Sequence, residues 1–182
     1  LIARNLAEVE GMSLTALRSG TNWEFESFDE YLGLLRQKGV TPNVAAFIGH
    51  SAVRTMVMGE EASERAANDD EVAAMRDLVV GGMDAGAIGF STSTSINHHG
   101  DGGVPMPSRL AEESELRSLV SVLGEKGRGV FQLTVGPSMT SEVMESIAAD
   151  NGCPVFQTAA LHNAAYPERA NKMVSDSAAA QT

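Results

Sequence analysis

The chain alternates between short, mainly apolar runs and longer segments in which apolar residues recur every three or four positions. The short runs lack the in-out alternation of a half-exposed strand, so they are typical of parallel strands that are covered on both faces. The longer segments have the period of amphipathic helices. The pattern predicts strands at residues 43–48, 87–91, 129–134 and 154–160, the last within an apolar run that ends at Leu161.

Capping signals place the helices between these strands. Ser27 with Glu30 and Asn68 with Glu71 have the spacing of a capping box, in which each side chain bonds the backbone N–H of the other residue. A glycine at the end of each helical segment indicates its termination. The predicted helices cover about 27–39, 68–86, 112–125 and 140–152, and a last helix begins near Pro167.

The order of these elements is one helix followed by four β-α units. Strict alternation predicts a parallel sheet with right-handed crossovers. An open doubly wound sheet and half of a (β/α)8 barrel, which needs about 250 residues, both satisfy this order. The long loop at 92–109 and two chain ends that look cut favour the barrel. We therefore expect an α/β fold made of four consecutive β-α units of a TIM-type barrel, with residues 1–182 forming part of one catalytic domain.

Composition narrows the range of partners and compartments. The 182 residues carry a net charge of −11, which argues against a nucleic-acid or anionic-membrane partner. Cys153 is the only cysteine, so neither an internal disulfide nor a cysteine-cluster metal site is possible. No apolar run approaches the roughly 18–20 residues of a transmembrane helix. These features predict a cytoplasmic protein with neither a nucleic-acid nor a membrane partner, and they leave its oligomeric state open.

The first candidate side chains follow the first strand, in the segment GHSAVR. His50 has the chemistry of a metal ligand, a general base or an oxyanion donor, or it holds its own loop in place. Arg54 either binds a substrate carboxylate bidentately or pairs with a nearby acid such as Glu60 or Glu61.

The loop at 92–109 supplies the second set of candidates. Long loops in compact domains usually cover or bind substrate, so we expect His98, His99 and Arg109 to face the substrate. A metal site built on the two adjacent histidines is the less favoured alternative, because adjacent side chains diverge. His162 follows the fourth strand and is a further catalytic candidate beside His50, or an anchor for its loop.

Several of these segments together resemble a known family. NVAAFIGHSAVRTMVMG, DDEVAAMRDLVVGGMDAGAIGFSTSTS and SELRSLVSVLGEKGRGVF are similar to the central part of the N-acyl-D-amino-acid deacylases, which belong to the metal-dependent amidohydrolase superfamily. The resemblance extends from about Trp23 to Gly152. It implies a (β/α)8 barrel, zinc, and hydrolysis of the amide of an N-acyl-D-amino acid or a related compound.

The resemblance also implies where the metal is bound. The HxH motif and the catalytic aspartate of the family lie on strands outside this chain, so the main metal ligands are expected there. The chain reads QLT around Thr134 and QTA around Ala159 where the family has metal histidines, and INHHGDGGVPMPS replaces the usual loop. The chain is therefore expected to belong to a divergent branch.

Two alternatives to the hydrolase remain at this stage. One is a barrel paralogue that binds an amide-like ligand without hydrolysing it, which the missing histidines favour. The other is a complete open α/β domain, which would fold cooperatively as a monomer.

Overall fold

The computed structural model describes residues 1–21, 23–160 and 162–180. Twelve regular elements follow one another along these residues, with short 3-10 turns between some of them. The helices and strands are α1 (Ile2–Glu10), α2 (Leu14–Gly20), α3 (Phe28–Lys38), β1 (Ile48–Gly49), α4 (His50–Met58), α5 (Asp69–Ala85), β2 (Gly89–Ser93), α6 (Glu113–Lys126), β3 (Val130–Thr134), α7 (Ser141–Asn151), β4 (Val155–Thr158) and α8 (Glu168–Ala179).

The four strands form one parallel sheet in the order β1-β2-β3-β4. Each strand is thus the spatial neighbour of the next strand in sequence, with helices in the connections. Sequential order with no reversal is the arrangement of strands around a (β/α) barrel, whereas a doubly wound sheet reverses its order at a switch point. The predicted fold class, four consecutive β-α units of a barrel, is confirmed.

The core lies between the sheet and the helices that cross over it. Phe90 of β2 and Phe131 with Leu133 of β3 are fully buried against apolar side chains of α5 and α6, among them Met83 and Leu119. Each such side chain contributes about 1.5–3 kcal/mol when it leaves water. Successive side chains of a strand point to opposite faces of the sheet. The residues between these core positions therefore lie on the face that is turned away from the helices.

The predicted strand boundaries need correction. The first strand covers only Ile48–Gly49, because only these two residues have partners in β2. Residues 43–47 of the predicted strand are irregular, and residues 43–45 are exposed. The second strand begins and ends two residues later than predicted. The third and fourth strands lie within their predicted spans, and Leu161 lies outside the described residues.

Helix α4 is absent from the prediction, which placed a loop after the first strand. Its residues His50–Met58 include the β-branched Val53, Thr55 and Val57, which lower helix propensity, and Gly49 at the N-cap provides no side-chain cap, so the usual signals of a helix start are missing. The predicted capping boxes of α3 and α5 are both present. Within the described residues, no helix has the length and apolarity needed to cross a membrane.

Candidate functional site

A buried charged cluster lies behind the carboxyl ends of β1 and β2. Glu115 of α6 accepts a hydrogen bond from His50 Nε2 at 2.8 Å through its Oε1 atom. Its Oε2 atom accepts one from Arg54 Nη1. His50 Nδ1 lies 2.8 Å from the Thr92 hydroxyl of β2. The cluster therefore joins α4, α6 and β2 through side chains that are almost wholly removed from solvent.

The protonation states of the cluster follow from its contacts. Burial alone would raise the pKa of Glu115, but the hydrogen bonds from His50 and Arg54 outweigh it and hold this pKa below its ordinary value. Burial lowers the pKa of His50, against the opposing effect of Glu115. His50 is therefore neutral at pH 7, donates from Nε2 to the carboxylate and accepts at Nδ1 from the Thr92 hydroxyl.

Both terminal nitrogens of Arg54 donate hydrogen bonds within this chain, whereas its buried Nε atom has no hydrogen-bond partner among the described residues. Its Nη2 atom donates to the backbone carbonyl of Arg65 at 2.8 Å, while Nη1 pairs with Glu115. The acid that pairs with Arg54 is thus neither Glu60 nor Glu61, because the side chain points inward to α6. Its assignment to substrate binding stays a prediction, although the geometry favours a structural role.

A second connection fixes the base of the long loop. Ser51, next to His50 on α4, donates its hydroxyl to Ser108 Oγ at 3.0 Å and accepts the Ser108 backbone N–H at 3.2 Å. Ser108 in turn donates to the carbonyl of Ser93, the last residue of β2. The two ends of the loop are therefore joined to each other and to the first turn of α4.

The loop itself presents His98 at the carboxyl end of the sheet. Nδ1 of His98 lies 2.7 Å from Ser93 Oγ, and Arg109 Nη1 donates to the His98 carbonyl at 2.9 Å. His99 is exposed, and its Nδ1 lies 3.0 Å from the carbonyl of Asn97. The structure thus brings His98 and Arg109 together and directs His99 away; their roles in substrate binding stay predictions.

The amino-terminal helix holds the tip of the same loop. The buried Asn5 of α1 accepts a hydrogen bond from the backbone N–H of Asp101 at 2.9 Å, and Arg4 pairs with the Asp101 carboxylate at 2.9 Å.

His162 lies in an exposed segment after β4, and its role as a catalytic candidate also stays a prediction.

A small pocket adjoins the charged cluster. Its volume of about 110 Å³ is well below the roughly 300–1,000 Å³ of pockets that enclose drug-sized ligands. It therefore has room for only a few water molecules or a small ion. Its lining comprises His50, Thr92, Thr94, Ser108, Ala111, Glu112, Glu113, Leu116, Ser138, Met139 and Val143.

The opposite face of the sheet carries an uncharged polar surface. Parallel register aligns Ser93 of β2 with Thr134 of β3, and Thr134 with Thr158 of β4. Since Thr92 and Leu133 are buried on the helix side, these three residues share the other face at the carboxyl ends of their strands. We refer to Ser93, Thr134 and Thr158 as the hydroxyl row; Thr134 Oγ1 and Thr158 Oγ1 lie 3.0 Å apart.

The donor set on this face does not fit a metal ion. Metal centres in proteins are built from imidazole, thiolate and carboxylate groups. Neutral hydroxyls occupy the hydroxyl row, and Ser91 with Gln132 form the aligned pair below it. Within residues 1–21, 23–160 and 162–180, no group of three or more His, Cys, Asp or Glu side chains is placed to hold a metal.

Sequence reasoning did not identify Glu115 or the hydroxyl row. Glu115 lies on a predicted helix among several other acids, and its partner His50 is 65 residues away, so no local signal separates it from its neighbours. The hydroxyl row needs the register of three strands, although each member follows an apolar run.

No protein-family model matches the chain. Comparison with individual proteins confirms the resemblance to the N-acyl-D-amino-acid deacylases. A D-aminoacylase from Alcaligenes xylosoxydans xylosoxydans is 46% identical over 79 residues, which are 43% of this chain and 16% of that protein.

Solved structures extend the similarity to the fold. A D-aminoacylase described as defining a novel subset of amidohydrolases has a TM-score of 0.69 at 26% identity. A second D-aminoacylase structure, studied for its binuclear metal centre, gives 0.70 at 26% identity. Each match covers 86% of this chain and 32% of the solved chain, so the chain spans about a third of these relatives or less.

Proposed function

We propose that this chain, a relative of the D-aminoacylases in sequence and in fold, is part of the single catalytic barrel domain of an amidohydrolase. The reaction is hydrolysis of a carbon–nitrogen amide bond, with an N-acyl-D-amino acid or a related compound as substrate. The observation that carries this proposal is the superposition of four consecutive β-α units on the D-aminoacylase barrel at a TM-score of 0.70.

The chain's own residues would position the substrate. The charged cluster of Glu115, His50 and Arg54 fixes α4 and α6 behind β2, which orients the residues at its carboxyl end. Active sites of (β/α) barrels lie at that end of the strands. His98, held by Ser93 and Arg109, would then contact the polar groups of the substrate, and His50 would act as a positioning residue behind it.

A metal, with zinc as the expected ion, would be held by parts of the full-length protein outside this chain. The residues of β1–β4 do not fit it, so we assign it no ligand here. The cytoplasm is the proposed compartment.

A second candidate function is a barrel that binds an amide-like ligand without hydrolysing it. The neutral hydroxyl row, in place of metal-binding side chains, is the observation that favours it.

Hydrolysis assays on the full-length protein separate the two candidates. Purified protein is supplied with zinc and incubated with N-acetyl-D-leucine, N-acetyl-D-glutamate and their L-enantiomers, and release of the free amino acid is measured. Hydrolysis of the D-compounds supports the proposal. Binding of these compounds without release of amino acid supports the second candidate and contradicts the first.

A further inference from the structure

The most distinctive surface of the chain is the hydroxyl row. Three neighbouring strands each place one hydroxyl at the same level of the uncovered face, and the strand spacing of about 4.8 Å spreads these hydroxyls over roughly 10 Å. His98 adds an imidazole at one end of the row through its contact with Ser93. The amide and carboxylate groups of a small acylated amino acid are three bonds apart, so they can reach two neighbouring hydroxyls, which are separated by one strand spacing of about 4.8 Å.

We propose that the hydroxyl row, together with His98, binds the oxygen atoms of the substrate and takes no part in holding a metal. The inference rests on the proposed function and goes beyond it, because it assigns Ser93, Thr134 and Thr158 to substrate binding. This sector of the sheet would then contribute neutral hydrogen bonds and no metal ligand.

The chemistry of the row supports this assignment. Each hydroxyl provides one donor and two acceptor sites, and its hydrogen rotates to suit the ligand. A row of hydroxyls can therefore donate to a carboxylate or to an amide carbonyl. Thr134 Oγ1 and Thr158 Oγ1 lie 3.0 Å apart, and Thr158 Oγ1 donates to the Leu133 carbonyl at 3.4 Å. The second hydrogen bond is long, so a ligand oxygen can replace the Leu133 carbonyl as its acceptor.

The surroundings of the row support it as well. Phe156 of β4 lies on the same face and is 53% exposed, which provides an apolar surface beside the hydroxyls. Small-molecule sites commonly combine apolar walls with a few polar groups that fix orientation. The pocket of about 110 Å³ behind β2 is too small for this ligand, so the uncovered face is the better location.

The test uses full-length protein and the isosteric substitutions Thr134→Val and Thr158→Val. Thr15→Val, on the exposed surface of α2, is the matched control. Binding of N-acetyl-D-leucine is measured by isothermal titration after treatment with a chelator, so that turnover does not consume the probe. Metal content of the untreated variants is measured by mass spectrometry.

We expect each row variant to weaken binding about three- to tenfold, the effect of one lost neutral hydrogen bond. Metal content stays at the wild-type level, and Thr134→Ser, which keeps the hydroxyl, binds as the wild type does. The control variant is unchanged in both measurements.

Three results would overturn the inference. Row variants that lose metal show that the row belongs to the metal site. Row variants that bind the probe like the wild type show that it does not contact the substrate. Absence of binding to the wild-type protein refutes the site itself.

The hydrolysis assay tests the proposed function independently of the hydroxyl row. Wild-type protein that binds the probe through the row but hydrolyses none of the four compounds refutes the hydrolase and leaves the row as a binding site. Hydrolysis with an unchanged KM in the row variants refutes the row and leaves the hydrolase.

Discussion

At the scale of single residues, Glu115 is the most consequential side chain in the chain. It is 3% exposed and is the carboxylate to which both His50 and Arg54 donate. Removing one partner of a buried ion pair leaves an uncompensated charge, which typically costs about 3–5 kcal/mol. Replacing the whole set by apolar groups avoids that cost.

We therefore expect Glu115→Ala to lower the free energy of unfolding of the full-length protein by about 3–5 kcal/mol, measured by urea denaturation. The double variant Glu115→Leu with Arg54→Met should recover a large part of the loss, because no charge remains buried. Glu113→Ala, which removes an exposed acid of the same helix, is the control. A loss from Glu115→Ala no larger than that of the control would contradict the role of the cluster.

His50 makes stability depend on pH. Its folded pKa lies below the ordinary value of 6.5, so the unfolded state takes up a proton first as the pH falls. Its contribution to stability is thus complete above about pH 6.5 and is lost as the pH drops through the folded pKa. The lowered pKa of Glu115 acts in the same direction, below its ordinary value of 4.5.

We expect the Tm of the full-length protein to fall between pH 7.5 and pH 5.5, and His50→Gln to reduce this slope. His99→Gln, which removes an exposed imidazole, should keep the wild-type slope. Differential scanning calorimetry across this range provides the comparison, and identical slopes for His50→Gln and the wild type would exclude His50 as the source.

At the scale of elements, two adjacent glycines of α5 have opposite surroundings. A Cβ at Gly81 would meet nothing within 4 Å, whereas one at Gly82 would lie 2.7 Å from Ile48 Cδ1 of β1. Glycine in a helix interior costs about 0.5–1 kcal/mol relative to alanine. Of these two glycines, only Gly82 lies where the absence of a side chain lets α5 pack closely on β1.

We expect Gly81→Ala to stabilise the protein by about 0.5–1 kcal/mol and Gly82→Ala to destabilise it, since added atoms in a packed core typically cost about 1–3 kcal/mol. The pair forms its own control, because the two changes are chemically identical and adjacent. Equal shifts in Tm would contradict the packing of α5 against Ile48.

Elements with local signals were predictable from the sequence, whereas those set by distant contacts were not. The capping box of Asn68 and Glu71 lies within four residues, so the start of α5 can be predicted from the sequence. The start of α4 at His50 has no side-chain cap, because Gly49 occupies the N-cap position. The site shows the same division: His50 and His98 were identified by their place after strands, but Glu115 required the packing of α6 on α4.

At the scale of the whole molecule, the sheet has two open edges. Neither the outer side of β1 nor that of β4 is paired with another strand among the described residues, and Phe156 is largely exposed on the uncovered face. Unpaired edges of this kind promote association with other chains.

We expect the 182-residue chain, produced by itself, to dimerise or aggregate, as measured by sedimentation velocity. The full-length protein should be free of association through these edges, because further barrel strands would pair with them. A monomer that unfolds in one cooperative transition would instead support a complete open α/β domain.

The junction of Ser51, Ser108 and Ser93 has a consequence for how such proteins diverge. It joins both ends of the loop to α4 through contacts separate from those of Asn5 and Arg4 with the tip of the loop. Insertions, deletions and replacements between the two ends alter what is presented to a ligand without shifting the sheet. A loop exchanged between these two ends would therefore change what a ligand meets while α4 and β2 keep their positions.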